Sequence, residues 1–227
     1  LGFVRDALTL DASSAFLDAF LPLQARVARL GLDNSLVQVA LKLTLPGMPD
    51  IYQGSELWDL SLVDPDNRRP VDFARRERLL EEVTADMARD PMAALRDMLG
   101  TWRDGRLKLA VTAALLALRR RHPALFAEGG YTPLTATGDA ADRICAFART
   151  QGEERLVVVT RRFPARPLDG AAALPLPPAL AGEAWRDLLT GRQAGAAETL
   201  PLGELLGELP VAVLVPASAA SVLSDRN

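Results

Sequence analysis

The sequence predicts an α+β chain: a mostly helical stretch to about residue 124, then an antiparallel β-sandwich. Three observations predict it. Apolar residues recur at helical spacing through the first half. After His122-Pro123 the pattern changes to short β-rich runs separated by turn residues. The composition, 49% hydrophobic and 24% charged over 227 residues, supplies enough apolar material for a sizeable core.

In chain order, Ser13 and Ser14 are N-cap candidates. Phe16, Leu17, Phe20, Val27 and Leu30 follow at helical spacing, and Gly31 is expected to end that helix. Pro22 predicts a kink or a break within it. Asp33, Asn34 and Ser35 are caps for a second helix, with Leu36, Val39, Ala40 and Leu43 as its apolar stripe. Pro46, Gly47 and Pro49 stop it, and a short strand is expected from Asp50 to Tyr52. From Gln53 to Phe73 the chain reads as a long irregular loop, ordered by the Trp58, Leu60, Leu62 and Val63 among its charges.

Helices are expected over Ala74–Met87, Pro91–Leu99 and Leu107–Arg121, the second opening on a proline that the first helical turn tolerates. Arg119, Arg120 and Arg121 sit favourably at the negative end of the third helix, and His122 is expected to cap it. Strands are expected at Tyr131–Ala136, Arg143–Arg149, Arg155–Arg161, Trp185–Leu189, Thr199–Leu202 and Leu209–Val215. Pro164–Gly182, rich in Pro and Ala, reads as a loose surface loop. The domain boundary falls near residue 124, giving 1–124 and 125–227.

The formal net charge of -3 argues against nucleic acid, which needs a basic face, and against attachment to anionic lipid. No apolar run approaches the roughly 20 residues of a membrane span. The single Cys145 excludes an internal disulfide and reads as a buried apolar filler in a reducing, cytoplasmic compartment. The chain starts on Leu1 with no signal segment, which reads as a cut through a longer protein.

The run Leu43-Thr44-Leu45-Pro46-Gly47-Met48-Pro49-Asp50-Ile51-Tyr52-Gln53-Gly54-Ser55-Glu56 resembles the last barrel strand of α-amylase superfamily enzymes. The following run, Leu57-Trp58-Asp59-Leu60-Ser61-Leu62-Val63-Asp64-Pro65-Asp66-Asn67-Arg68-Arg69-Pro70-Val71-Asp72-Phe73, is similar to the loop of the maltooligosyltrehalose synthase family. Phe16–Gln38, Trp102–Lys108 and Trp185–Gly191 resemble the same family, so the likeness covers nearly the whole chain and thins from Thr150 to Glu183.

That resemblance implies a fold: the end of a (β/α)8 barrel including strand eight, closed by a β domain. A whole barrel takes about 250 residues, so the first 124 hold only its end. Strand eight then has no neighbours in this chain, and the first half is expected to be unstable alone or to repack as a helical unit.

The resemblance also implies an activity: an isomerase turning the reducing-end α-1,4 linkage of a malto-oligosaccharide into an α,α-1,1 linkage with retention. Retention needs a carboxylate nucleophile and a general acid/base. The family places these on barrel strands upstream of Leu1, so no catalytic residue is expected here, not even Asp50 or Glu56, and the isolated chain is expected to be inactive. What it offers is substrate surface. Arg68 and Arg69 match a loop position that fixes a sugar in related enzymes. Asp64, Asp66 and Asn67 lie beside them, Gln53 and Glu56 precede them, and Tyr52 and Trp58 are candidate stacking faces. A planar guanidinium with a carboxylate can hold vicinal hydroxyls.

Two readings of Asp64–Arg69 stand open: that clamp, or a self-satisfied turn, since Asp-Pro and Asp-Asn favour Asx-turns. For Tyr52 and Trp58, packing competes with stacking. No metal or other cofactor is expected, because the Asp-x-Asp-x-Arg spacing puts a cation where a calcium loop needs oxygen. The expected partners are the malto-oligosaccharide and the remaining barrel portion. An α-glucan hydrolase fragment, a non-catalytic carbohydrate-binding or structural module, and a helical interaction domain fused to a sandwich are the competing functions.

Overall fold

The computed structural model describes residues 2–9, 14–168 and 171–218. Ser13 lies outside them, as do Asp169 and Gly170 of the Pro164–Gly182 segment. A short helix α1 (Gly2–Leu8) precedes the long α2 (Ser14–Thr44). The expected two helices are one: α2 runs on through Gly31, and its buried stripe of Leu32, Leu36, Val39, Ala40 and Leu43 begins directly after that glycine and spans the Asp33-Asn34-Ser35 cluster. Packing of that stripe outweighs the roughly 1 kcal/mol propensity penalty of a mid-helix glycine. Pro22 is accommodated in the exposed N-terminal half, where Phe20, Leu21, Leu23 and Val27 face outward.

Three helices follow the loop: α3 (Phe73–Arg89), α4 (Pro91–Gly100) and α5 (Arg106–Arg121). Asp72 caps α3 by accepting from Arg75 N at 2.9 Å, and Asp90 caps α4 by accepting from Ala93 N at 3.0 Å. Gly105, at φ +86°, makes the left-handed entry to α5, and an added Cβ there would sit 3.0 Å from Leu57 Cβ. Leu107, Val111, Leu115 and Leu118 of α5 pack on the α2 stripe. A one-turn α6 (Pro123–Ala127) leads into the sheet. His122 does not cap α5 with its ring; Nδ1 lies 2.7 Å from Glu154 Oε1, because its neighbour is a strand end and not a free carbonyl.

The strands are β1 (Gly130–Leu134), β2 (Ile144–Gln151), β3 (Glu154–Arg161), β4 (Ala173–Pro175), β5 (Ala184–Asp187), β6 (Gln193–Ala196), β7 (Thr199–Pro201) and β8 (Val211–Pro216), with a short helix α7 (Leu202–Leu205) between the last two. Six of them form one antiparallel sheet in the order β1-β2-β3-β8-β5-β6, and β4 pairs with β7 as a separate ribbon. Residues alternate across the main sheet. Phe147, Leu156, Val158 and Val213 join the helical core, while Ala148, Val157, Val159 and Leu214 face Leu174 of β4, Leu200 of β7 and Trp185. One hydrophobic core therefore crosses residue 124.

Three expectations are corrected. Asp50–Tyr52 is not a strand; Ile51 is half-buried against the helical core, and among the described residues no strand lies beside it to pair with. The Pro- and Ala-rich segment is not loose throughout: Leu174 is fully buried and Leu176 and Leu180 are buried with it, so hydrophobic burial orders β4. Cys145 is half-buried rather than a core filler, its backbone carbonyl accepting from Thr160 Oγ1 at 3.3 Å.

Candidate functional site

The loop of residues 53–72 is ordered by its own charges and by two anchors. At its start, Ser55 N and Oγ donate to the Tyr52 carbonyl at 3.2 and 2.6 Å, closing a turn. Glu56 then meets Arg76 of α3, Oε2 to Nε at 3.0 Å, and Arg76 Nη2 reaches the Gly54 carbonyl at 2.9 Å. Both partners are mostly shielded, so the Glu56 carboxylate is committed to positioning the loop. Replacing Arg76 by Ala is expected to cost about 1 kcal/mol and to speed amide exchange at residues 54–57. Replacing Arg89, whose pair with Asp86 is exposed, should change stability by less than about 0.5 kcal/mol in the same denaturation experiment. Equal effects would refute the anchor.

The second anchor is aromatic. Trp58 Nε1 donates to the Trp102 carbonyl, and the two indoles meet edge to face at 72° with centroids 6.5 Å apart. Lys108 Nζ lies 5.7 Å from the Trp58 ring and donates to the Leu57 carbonyl at 3.1 Å. Burial pushes the Lys108 ammonium pKa down. Trp58 is thus half-buried and held by packing, with part of its ring left exposed, and Tyr52 is about half exposed.

At the tip, Asp66–Arg68 form a single 3-10 turn. Arg68 pairs with Asp64 through Nε and through Nη2, the latter at 3.0 Å, and Arg69 pairs with Asp66. Asp66 also accepts from Leu62 N at 2.7 Å. The Arg69 guanidinium, hydrogen-bonded to it, and the Leu62 amide hold the Asp66 carboxyl below the usual range. Ser61 does the same for Asp59. The turn is therefore internally paired. It is also outward-facing, the Arg68 and Arg69 side chains being 70% and 68% exposed. Asn67 Oδ1 is shielded and has no hydrogen-bond donor among the described residues. Gln53 is exposed, and its side chain makes no hydrogen bond there either.

The structure gathers Asp64, Asp66, Asn67, Arg68 and Arg69 into one turn and places Glu56 on a separate anchor. Arg76, Trp102 and Lys108 are the residues that sequence reasoning passed over. Arg76 carries no local signal that sets it apart from the other charges of α3, and Trp102 and Lys108 carried only a family likeness. No group of His, Cys, Asp and Glu able to hold a metal ion occurs among the described residues. No helix there is long and apolar enough to cross a membrane.

Comparison with known proteins yields consistent names. No family model matches the chain. A curated relative from Mycobacterium tuberculosis bearing the name maltooligosyl trehalose synthase is 43% identical over 184 residues, which is 80% of this chain and 20% of the relative. The structure of maltooligosyltrehalose synthase from Arthrobacter ramosus superposes with a TM-score of 0.68 at 35% identity, covering 89% of this chain and 24% of that one. An Anoxybacillus α-amylase shares the fold at a TM-score of 0.52, 23% identity, 88% of this chain and 36% of its own.

Proposed function

Since the chain is homologous to the maltooligosyltrehalose synthases and spans about 20% of its curated relatives' length, we propose that it is the C-terminal portion of such an enzyme. In this reading residues 1–124 are the end of a (β/α)8 barrel and residues 125–227 its closing β-sandwich domain. The enzyme converts the reducing-end α-1,4 linkage of a malto-oligosaccharide to α,α-1,1, an intramolecular glucosyl transfer in the cytoplasm. The nucleophile and general acid/base belong to the rest of the barrel, and the isolated chain is inactive.

The observation that carries the reading is the 43% identity to a named synthase across 80% of the chain. The loop geometry supports the chain's share in the work. Barrel enzymes bind substrate at the C-terminal ends of their strands, where this loop would emerge. Arg68 and Arg69 keep outward donors beyond their ion pairs, which is what a sugar hydroxyl would meet.

The test is to incubate the product of the complete reading frame with maltohexaose, with the 227-residue chain as control, following reducing ends and 1,1-linked anomeric protons by NMR. Loss of reducing ends with growth of the 1,1 signal, in the longer protein alone, is expected. There, Arg68→Ala and Arg69→Ala should each lower kcat/KM about tenfold, the loss of one charge-assisted contact. Growth of reducing ends would identify a hydrolase. No change in either would sever the loop from this chemistry.

A further inference from the structure

We propose a second glucan-contact site in this chain, separate from the Asp64–Arg69 turn: the groove between α2 and the Trp58–Trp102 pair. The inference rests on the α-glucan reading of the preceding section. The groove has a volume of about 540 Å³, within the usual size of small-molecule sites (about 300–1,000 Å³). Its floor is Trp58 and Trp102, both half-buried. Its rim carries Asp59 and Arg103, and α2 provides the opposite wall.

Three features fit a short stretch of α-1,4-glucan. An indole floor matches the apolar C–H face of a glucosyl ring. The rim offers what equatorial hydroxyls need: an ionised acceptor in Asp59 and fixed donors in Arg103, whose Cζ sits 4.7 Å above the Trp102 ring. None of the Arg103 side-chain donors has an acceptor among the described residues, so its orientation comes from the ring and its hydrogen-bonding capacity is unused. Lastly, the helix wall is cut back at Gly31. A Cβ built there meets nothing within 4 Å, so no packing neighbour demands a glycine in the middle of this helix. The missing side chain is what leaves the groove open.

Tryptophan fluorescence tests this directly. The chain has three tryptophans, and the third, Trp185, is fully buried in the other core and silent to a ligand in the groove. Titrating the 227-residue chain with maltohexaose is expected to give a saturable emission change. Gly31→Leu, which fills the groove with a good helix former, should abolish it while leaving the circular dichroism unchanged. Arg103→Ala, at an exposed position, should weaken it about tenfold. The double variant Arg68→Ala, Arg69→Ala should leave it intact, and cellohexaose, the β-1,4 isomer, should bind weakly.

The proposal is overturned by no saturable change, by a change that survives Gly31→Leu, by equal binding of cellohexaose, or by binding lost in the complete enzyme because its other parts cover the groove. The two readings fail separately. A complete enzyme that isomerises maltohexaose while the groove stays silent removes only the groove. A groove that binds maltohexaose in a protein without isomerase activity removes only the enzymatic reading.

Discussion

Replacing Arg149 by Met should lower stability by about 4 kcal/mol, the scale of leaving a buried charge network without its partner. For a chain of this size that is a fall in Tm of roughly 10 °C. Arg149 is 1% exposed and has no carboxylate partner among the described residues; its guanidinium is surrounded by carbonyls. It donates to Gly130 O at 3.0 Å, Thr44 O at 3.0 Å, Leu125 O at 3.0 Å and Gly129 O at 2.9 Å, with a longer contact to Phe126 O at 3.4 Å. Thr44 ends α2, and Leu125 and Phe126 lie in α6, so the cation sits where two helices present unsatisfied carbonyls and negative dipole ends. Burial and nearby Arg119 lower its pKa, but an arginine stays charged at any relevant pH. Methionine keeps the apolar stem and strands those carbonyls. Lysine restores a point charge without the fork, and should recover about half of the loss. Urea denaturation checks this through a shift in midpoint at unchanged slope. Amide exchange should also accelerate at the end of α2 more than within β3. A loss below about 1 kcal/mol would mean that water satisfies those carbonyls and that Arg149 is not what joins helices to sheet.

Arg149 also marks the limit of what could be read from the sequence. Helices α3, α4 and α5 were legible because their signals are local: apolar residues at helical spacing, Pro91 in the first turn of α4 and Arg119–Arg121 in the last turn of α5. Strands β2, β3 and β8 were legible because a sheet buried on both faces demands apolar runs such as Leu156–Val159. Arg149, by contrast, looked like a strand-ending charge, and its acceptor Thr44 lies 105 residues away. The continuity of α2 was hidden for the same reason. Gly31 and the Asp33-Asn34-Ser35 cluster spell a helix boundary locally, and the packing of Leu32, Leu36 and Val39 against α5 carries the helix through that cluster. In β4, Leu174 is a lone buried leucine amid Pro and Ala, and its ordering comes from β7.

The candidate site divides along the same line. Pairs at i,i+3 and i,i+4, Asp66 with Arg69 and Asp64 with Arg68, follow from spacing alone. The Glu56–Arg76 anchor bridges 20 residues, and the groove beside Trp58 needs Trp102, 44 residues on, to close its floor. Sequence reasoning found the charged turn and the aromatic; what holds them in place depends on tertiary distance.

Asp187→Ala should be the second severe lesion, at about 3 kcal/mol. The Asp187 carboxylate is fully enclosed at the end of β5 and accepts four hydrogen bonds: from Leu189 N at 3.3 Å, Thr190 N at 3.2 Å, Thr190 Oγ1 at 2.5 Å and, across the sheet, Val213 N of β8 at 3.0 Å. It thus ties the β5–β6 turn to the central strand. Alanine leaves three backbone N–H groups buried without acceptors, which sets the size of the loss. Asparagine keeps one acceptor oxygen but turns an NH2 towards donors, so about half of the loss should remain. The pH dependence has a definite sign. Desolvation pushes the Asp187 carboxyl up, against the opposing pull of the Thr190, Val213 and Leu189 donors. The folded chain therefore holds the proton more tightly than the unfolded chain, whose aspartates titrate near about 3.9. The stability contributed by that proton is full below the unfolded value and disappears as pH rises through the folded one. The margin of the wild type over Asp187→Asn should accordingly shrink from acid towards neutral pH in parallel urea titrations. A margin that instead grows with pH would mean that the four donors outweigh burial and that the carboxylate is the favoured form.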